Sequence, residues 1–312
     1  MMDTTRRPIQ ISVALVTRNR PDSLDRTLKS LRAQSVQPWE VLISDDSSAE
    51  HCVTVELLAA QYDCRYIRGP QRGLYANRNH VALSCRGTHI RTMDDDHEFP
   101  AAHFERCATV LAQDPGAIWI IGEYLPAEER PDVTPLCPGQ LHPRGFSTLP
   151  PDPDRSWAIS DGGTIYPRTL FDRGLRFAEE FKFGASYLEF GSRLYWLGYR
   201  IRLVRGTYLI HHYVSGMRSF SSEEMEQSSR FCAMMCHSFH YQPTIRNRAL
   251  TGLEVMKQII TRPAVTWRSL PAGIAGYRRQ RSWLNQQDLR RLRPVPTGDV
   301  TCVDAPTTTP DE

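Results

Sequence analysis

Lysine is nearly absent from this 312-residue chain: only Lys29, Lys182 and Lys257 among its 38 basic residues are Lys, a bias that points to genome composition rather than chemistry. No apolar run reaches the roughly 18 residues needed to cross a bilayer, and the opening MMDTTRRPIQ lacks the apolar core of a signal peptide, so a cytoplasmic protein is expected. The eight cysteines (52, 64, 85, 107, 137, 232, 236, 302) have no paired spacing, which excludes a disulfide framework and leaves reduced thiols. No Gly-x-Gly follows the first apolar run, which ends TRNRP, and no Gly-Lys-Ser/Thr occurs anywhere. Rossmann dehydrogenases and P-loop NTPases therefore fit poorly. With 40% hydrophobic and 23% charged residues the composition is that of a globular chain, long enough for one large domain or a domain with an appendage.

Net charge is also small, at +3, and by itself it suggests neither a nucleic-acid nor a membrane partner. The sum hides a segregation. Tyr241 to Pro294 holds ten Arg and one Lys against Glu254 and Asp288, a net +9, so the remainder carries −6. Just before that segment Cys232, Cys236, His237 and His240 cluster, but Phe231, Met234, Met235 and Phe239 surround them, which reads as a buried amphipathic helix more readily than as a zinc face.

What is present is an alternation of apolar runs and amphipathic stretches. Ile9 to Thr17 reads as a buried strand, and Pro21-Asp22-Ser23 opens a helix with Leu24, Leu28 and Leu31 on one face. Strands at Trp39 to Ser44, Cys64 to Arg68, Thr88 to Met93 and Ala117 to Gly122 follow, separated by helices through Val55, Leu58 and Ala59, from near Gly73, and from Pro100. Such alternation gives a mostly parallel α/β sheet. Eight prolines then interrupt Leu125 to Ser156 as a long loop, before structure resumes at Trp157 to Tyr166, a helix at Tyr187 to Leu197, and short strands at Arg200 to Val204 and Tyr208 to His212.

Ligands of open α/β sheets sit at the carboxyl ends of strands. Here those ends carry Thr17 to Arg20, Asp45-Asp46, Arg72-Gly73 and the run Asp94-Asp95-Asp96. Three successive Asp repel one another unless a cation or hydrogen-bond donors hold them. The run is either a solvated acidic turn or a site for a divalent ion such as Mg²⁺ or Mn²⁺, which keeps coordination positions free for phosphate oxygens.

The order of these motifs narrows the choice. VALVTRNRPDSLDRTLKSLRAQSVQPWEVLISDDSS, RGLYANRNHVALSCRGTHIRTMDDDHEFP, GGTIYPRTLFDRGLRFAEEF, LEFGSRLYWLGYRI and IHHYVSG together resemble glycosyltransferase family 2 over about Ile9 to Gly216. The resemblance implies a GT-A fold, a Rossmann-like, mostly parallel sheet flanked by helices, in a catalytic domain of residues 1–216 with a nucleotide-sugar half at about 9–124 and an acceptor half at about 157–216. A basic helical extension, 217–294, and a disordered tail, 295–312, would follow. It further implies metal-dependent, inverting transfer from a UDP, dTDP or GDP sugar to a hydroxyl or amine of a saccharide, lipid-linked or small natural-product acceptor, with Mn²⁺ or Mg²⁺ as cofactor. Nucleic acid is not an expected partner, and oligomeric state is not encoded in any motif.

Residue by residue, the resemblance gives Asp45 and Asp46, helped by Thr17, Arg18, Asn19 and Arg20, to the base and ribose, and Arg72, Gly73, Arg78 and Asn79 to the border of the nucleotide. Asp94, Asp95 and Asp96 look like the Asp-x-Asp motif, with Asp96 the metal ligand and Asp94 towards the ribose or also on the metal; His211 or His212 falls near the metal. Gly162 and Gly163 resemble the Gly-rich segment beside the donor sugar. The chain departs from the family where an acidic pair carries the catalytic base: those positions are Ser186 and Tyr187. Glu189 is then the base candidate, with Glu179 and Glu180 in reserve, and a catalytically silent nucleotide-sugar or saccharide-binding protein is the alternative. A sugar-phosphate nucleotidyltransferase would need a Gly-rich, basic N-terminal loop that this sequence lacks. For the basic extension two readings stand. One is a helical cap on the acidic body, with Leu250, Leu253, Met256, Ile259 and Ile260 as its packed stripe; the other is a peripheral surface at the inner face of the membrane through 241–294.

Overall fold

The computed structural model describes residues 8–125, 134–213 and 222–295. Eight strands form one sheet in the order β3-β2-β1-β4-β9-β6-β10-β5. The first half is a parallel βα array: β1 (Ile11–Thr17), α1 (Pro21–Arg32), β2 (Glu40–Asp45), α2 (Ala49–Gln61), β3 (Arg65–Arg68), α3 (Leu74–Ser84) and β4 (His89–Asp94). A two-residue strand β5 (His97–Glu98), α4 (His103–Gln113) and β6 (Ile118–Tyr124) follow. After a small hairpin of β7 (Gln140–Leu141) and β8 (Ser147–Thr148), β9 (Thr164–Pro167) inserts antiparallel between β4 and β6. Then come α5 (Arg168–Asp172), α6 (Ser186–Trp196) and β10 (Ile201–His211), which runs parallel to β6 and antiparallel to β5.

Strand β1 is buried along its whole length because helices cover both sheet faces. Val13 and Leu15 point towards α1 and α4, packing with Leu24, Leu28, Phe104 and Leu111, while Ala14 and Val16 point to the other side with Tyr75, Val81, Tyr166 and Phe190. This two-sided burial explains why the strand reads as a continuous apolar run rather than an alternation.

Two expectations change. The strands placed at Arg200 to Val204 and Tyr208 to His212 are one strand, β10, whose register against β6 shifts between Val204 and Tyr208. Gly206, at φ +79°, takes the left-handed backbone this irregularity needs, and a side-chain pattern broken there looks like two strands. The extension does not bury its apolar stripe. It consists of α7 (Glu223–Cys236), a π-helical turn (His237–Tyr241), α8 (Ile245–Thr261), α9 (Pro263–Gln286) and α10 (Leu289–Leu292). α7 and α9 pack on the body, but α8 buries Asn247, Thr251, Glu254 and Gln258 and turns Leu253, Met256 and Ile260 outwards. Cys232 and Cys236 are buried free thiols in α7 and belong to no group able to hold a metal among the described residues. The part of the proline-rich loop at 126–133, the expected boundary at 216 and the tail from 296 lie outside the described residues.

Candidate functional site

A cleft of about 750 Å³ opens at the carboxyl ends of β1, β2 and β4 and extends to α7. Its near wall includes Thr17, Arg18, Arg20, Asp46, Asp94 and Asp96, and its far end includes Lys182, Gln227, Arg230 and Arg262.

The near wall is stitched together by the strand-end loops. Asn19 adopts φ +55°, donates its backbone N–H to Ser47 Oγ at 2.8 Å and accepts the Ser48 N–H on Oδ1 at 2.8 Å, so the loop after β1 is tied to the loop after β2. Asp45 and Asp46 then separate in role. Asp45 is fully buried and accepts from the Ser47 N–H, Tyr66 and Arg68, while Asp46 accepts the Gln71 N–H at 2.8 Å and lines the cleft. Burial pushes the Asp46 carboxyl upward, against the Gln71 N–H and the charge of Arg18.

The three consecutive Asp also divide. Asp94 is held by Arg78 Nη2 at 2.7 and 3.0 Å and faces the cleft. Asp95 turns inwards, fully buried, where it accepts the Thr17 hydroxyl at 2.6 Å and pairs with Arg20; burial pushes its carboxyl upward. Asp96 pairs with Arg20 through Oδ2 at 3.0 Å and leaves Oδ1 buried with no hydrogen-bond partner. That orphan oxygen lies 3.8 Å from His97 Nε2 and 3.6 Å from His211 Nε2. Strand β5 makes this meeting possible, since its pairing aligns His97 directly with His211 on β10.

Asp96, His97 and His211 are the group that could hold a metal ion among the described residues. Burial pushes His97 down to about 4, so its imidazole is neutral and able to ligate. For Asp96, burial alone would raise the carboxyl, but His211, 3.6 Å away, and the charge of Arg20 hold it below the ordinary carboxylate range. His211 is opposed by burial yet pushed up to about 10 by the neighbouring carboxylates of Asp96, at 3.6 Å, and Glu123, at 3.4 Å, so a cation entering there displaces a proton.

Several sequence candidates stand outside this group. His212 bonds Glu98 at 2.8 Å instead. Arg78 is completely buried and reaches the cleft only through Asp94 and, at 3.5 Å, Asp161. Asn79 clasps the backbone of Phe177 at 2.9 and 3.0 Å, a structural bond, and Arg72 is exposed and paired with Glu179 at 3.1 Å. Gly73 has φ +110°, and a Cβ there would lie 2.6 Å from Lys182 Cα, so the start of α3 requires glycine. A Cβ on Gly163 would crowd Ser160 Oγ at 2.6 Å, and one on Gly162 would lie 2.5 Å from His97 Cε1 and 2.6 Å from Asp94 Oδ2. Gly162→Ala is therefore expected to displace His97 and abolish any Mn²⁺-dependent rise in melting temperature; a retained metal response would show that the His97 ring can yield.

Glu189 lies on the side of α6 away from this cleft. It is 2% exposed, pairs with Arg193 Nε at 3.1 Å, accepts from Arg193 Nη2 at 3.2 Å and from the Tyr241 hydroxyl, and borders a separate cavity of about 470 Å³ beside Cys232, Gly276 and Trp283. Glu179 and Glu180 border that second cavity too. On α6 the cleft is lined by Tyr187 and Leu188, whereas Ser186 and Glu189 share the other face, as an i, i+3 pair must. A carboxylate that does line the cleft is Asp161, 3.4 Å from the Tyr75 hydroxyl, which also donates to the Gly184 carbonyl just before α6. Asp161 thus sits beside the helix start that Ser186 and Tyr187 leave without an acid. Burial, with help from Asp94 and against Arg78, pushes it up to about 7. Neither Asp161, directly before the Gly-Gly pair, nor His97, directly after the Asp run, carries a local sequence signal that assigns it a role.

Residues 12–175, more than half the chain, match the family model described as glycosyl transferase family 2, and the chain belongs to that family. It is similar to the uncharacterized glycosyltransferase YwdF of Bacillus subtilis (strain 168), 32% identical over 101 residues, which span 32% of this chain and 37% of that one. Among solved structures it resembles GalNAc-T7 with UDP, GalNAc and Mn²⁺ at a TM-score of 0.62 and 16% identity, covering 76% of this chain and 49% of that one. It also resembles S. aureus TarS 1-349 in complex with UDP-GlcNAc, at a TM-score of 0.56 and 14% identity, over 89% of this chain and 93% of that one. These likenesses establish the GT-A fold. The chain spans 37% of the YwdF sequence and about half of the GalNAc-T7 chain.

Proposed function

We propose that this protein transfers a glycosyl group from a nucleotide-diphosphate sugar, of the UDP type held by its structural neighbours, to an acceptor hydroxyl at the α7 end of the cleft. The observation that carries the reading is the orphaned Asp96 Oδ1 facing two imidazoles beside Asp46 and Asp94. Asp96, His97 and His211 would hold the divalent cation, and a set with two nitrogens favours Mn²⁺ over Mg²⁺, which prefers oxygen ligands. When bound, the cation offsets negative charge that develops on the departing diphosphate. Asp46, which lines the cleft, accepts hydrogen bonds from the nucleoside, and Arg18 supplies positive charge next to it. Asp161 takes the proton from the acceptor hydroxyl at its carboxylate oxygen as the hydroxyl attacks from the face opposite the leaving group, so the anomeric centre inverts. Lys182, Gln227 and Arg230 supply hydrogen-bond donors suited to a saccharide acceptor, free or carried on a lipid.

The test is a thermal-shift panel of UDP, dTDP and GDP sugars with and without Mn²⁺, followed by turnover of any stabilising donor. At 100 times its dissociation constant a donor adds about 2.7 kcal/mol. The UDP sugar is expected to give a shift that needs Mn²⁺ and disappears in Asp96→Ala and His211→Ala. No Mn²⁺-dependent shift with any donor would sink the reading; a shift with neither hydrolysis nor transfer would make the chain a binding protein.

A further inference from the structure

Helix α8 is amphipathic the wrong way round for a packed helix. At about 100° per residue, Asn247, Thr251, Glu254 and Gln258 fall on one face and Ile245, Leu253, Met256 and Ile260 on the opposite one. The polar face is the buried one. Its orientation is fixed by a buried network: Glu254 accepts from Arg144 at 2.7 Å, Arg230 at 2.7 Å and Gln258 at 2.8 Å, and the Thr251 hydroxyl donates to the Pro143 carbonyl at 2.8 Å. Rolling the helix to hide its apolar side would bury unpaired cations and break these bonds. The outward face is correspondingly bare, with Ile245 88%, Leu253 65%, Met256 56% and Ile260 74% exposed. Trp267, near the start of α9, is 65% exposed as well.

Charge selects what covers this face. Arg246, Arg248 and Lys257 flank the apolar arc, and from Tyr241 to Gln287 the sole acid is the buried Glu254. A second copy meeting the same face would bring these cations together with no exposed carboxylate on the helix to pair them. A bilayer carrying anionic headgroups satisfies both halves of the pattern, taking the apolar arc at the acyl boundary and neutralising the flanking cations. No helix among the described residues is long and apolar enough to span a membrane, so the contact lies in the interface.

We propose that α8 docks this protein on an anionic membrane surface through Ile245, Leu253, Met256 and Ile260, with Arg246, Arg248 and Lys257 on phosphate headgroups. The position has a consequence for the cleft. Glu254, on the inner face of α8, holds Arg230, and Arg262, at the end of α8, lines the cleft as well. One helix therefore separates the membrane from the acceptor end, and an acceptor on a lipid headgroup would reach it without leaving the surface. This last step rests on the transfer reading; the docking does not.

Sedimentation of the purified chain with phosphatidylcholine vesicles, with and without phosphatidylglycerol, tests the docking without donor or acceptor. Binding is expected only with phosphatidylglycerol, to weaken as salt shortens the Debye length, and to fall by about tenfold or more in the Leu253→Gln, Ile260→Gln double variant. Both side chains are exposed, so the variant should keep the wild-type melting temperature. The proposal is overturned if the wild type ignores anionic vesicles, binds both compositions equally, or binds as well with the double substitution. It is also overturned if ultracentrifugation shows a dimer that the same substitutions dissociate. Failure here leaves the Mn²⁺-dependent donor shift untouched, and failure of the donor panel leaves vesicle binding untouched.

Discussion

Asp161→Asn is expected to lower kcat by about 10² to 10⁴, the usual contribution of a positioned general base, while the Mn²⁺-dependent donor shift survives. The substitution keeps the side chain's shape, and Arg78 retains its bonds to Asp94 at 2.7 and 3.0 Å, so the cleft wall should hold. The wild-type pH profile gives a second reading of the same group. Burial first, then the nearby Asp94 charge, push Asp161 up to about 7, against the pull of Arg78. A base must be ionised to act, so kcat/KM should rise with pH, reach half its plateau near 7 and fall about tenfold per unit below that. The stability sign is opposite. A carboxyl raised on folding contributes most where it is protonated, below its unfolded value, and loses that contribution as pH climbs through about 7. Asp161→Asn at pH 8 should therefore melt no lower than the wild type, which separates lost chemistry from a lost fold. An unchanged kcat at pH 8 would remove Asp161 from the role.

The first half of the sheet was legible because β1 and β2 are apolar runs closed by turns, and α1 carries its stripe on the packed side. Leu24, Leu28 and Leu31 all pack where their spacing puts them. Legibility fails where long-range geometry decides. β5 is two residues long, and no local pattern distinguishes it from loop, yet its pairing with β10 brings His97 to His211. β9 runs against its neighbours because the chain returns from the hairpin region, which periodicity cannot reveal. In α8 the pattern itself misleads, because hydrophobic spacing states that a helix is amphipathic but not which face is covered. The covered face was set by Glu254, a charged residue whose partners, Arg144 and Arg230, are remote in sequence. The same limit applies to Asp45, Asp46, Asp94, Asp95 and Asp96. Composition marks them as a set, and only the strand ends show that Asp45 and Asp95 turn inwards while the other three line the cleft.

Glu189→Ala is expected to destabilise the fold by about 3 to 5 kcal/mol, the range found when one partner of a buried ion pair is removed. Arg193, 2% exposed on its side chain, would keep only the Arg176 carbonyl at 2.7 Å and the faces of Phe190 and Trp283, at 4.9 and 5.5 Å, as compensation. The Tyr241 hydroxyl would lose its acceptor as well. Glu189→Gln preserves the shape and one acceptor oxygen, so its cost should be smaller, about 1 to 3 kcal/mol. In both variants the protein that remains folded at low temperature should turn over at close to the wild-type rate, because the carboxylate faces the second cavity and not the cleft. Chemical denaturation read by tryptophan fluorescence measures the first effect, and kcat well below the melting transition measures the second. A Glu189→Gln protein with wild-type stability and kcat reduced a hundredfold would reverse the assignment, returning the base to α6 and leaving Asp161 as a partner for Arg78. The two substitutions thus discriminate as a pair: Asp161 should govern rate with little effect on stability, and Glu189 should govern stability with little effect on rate.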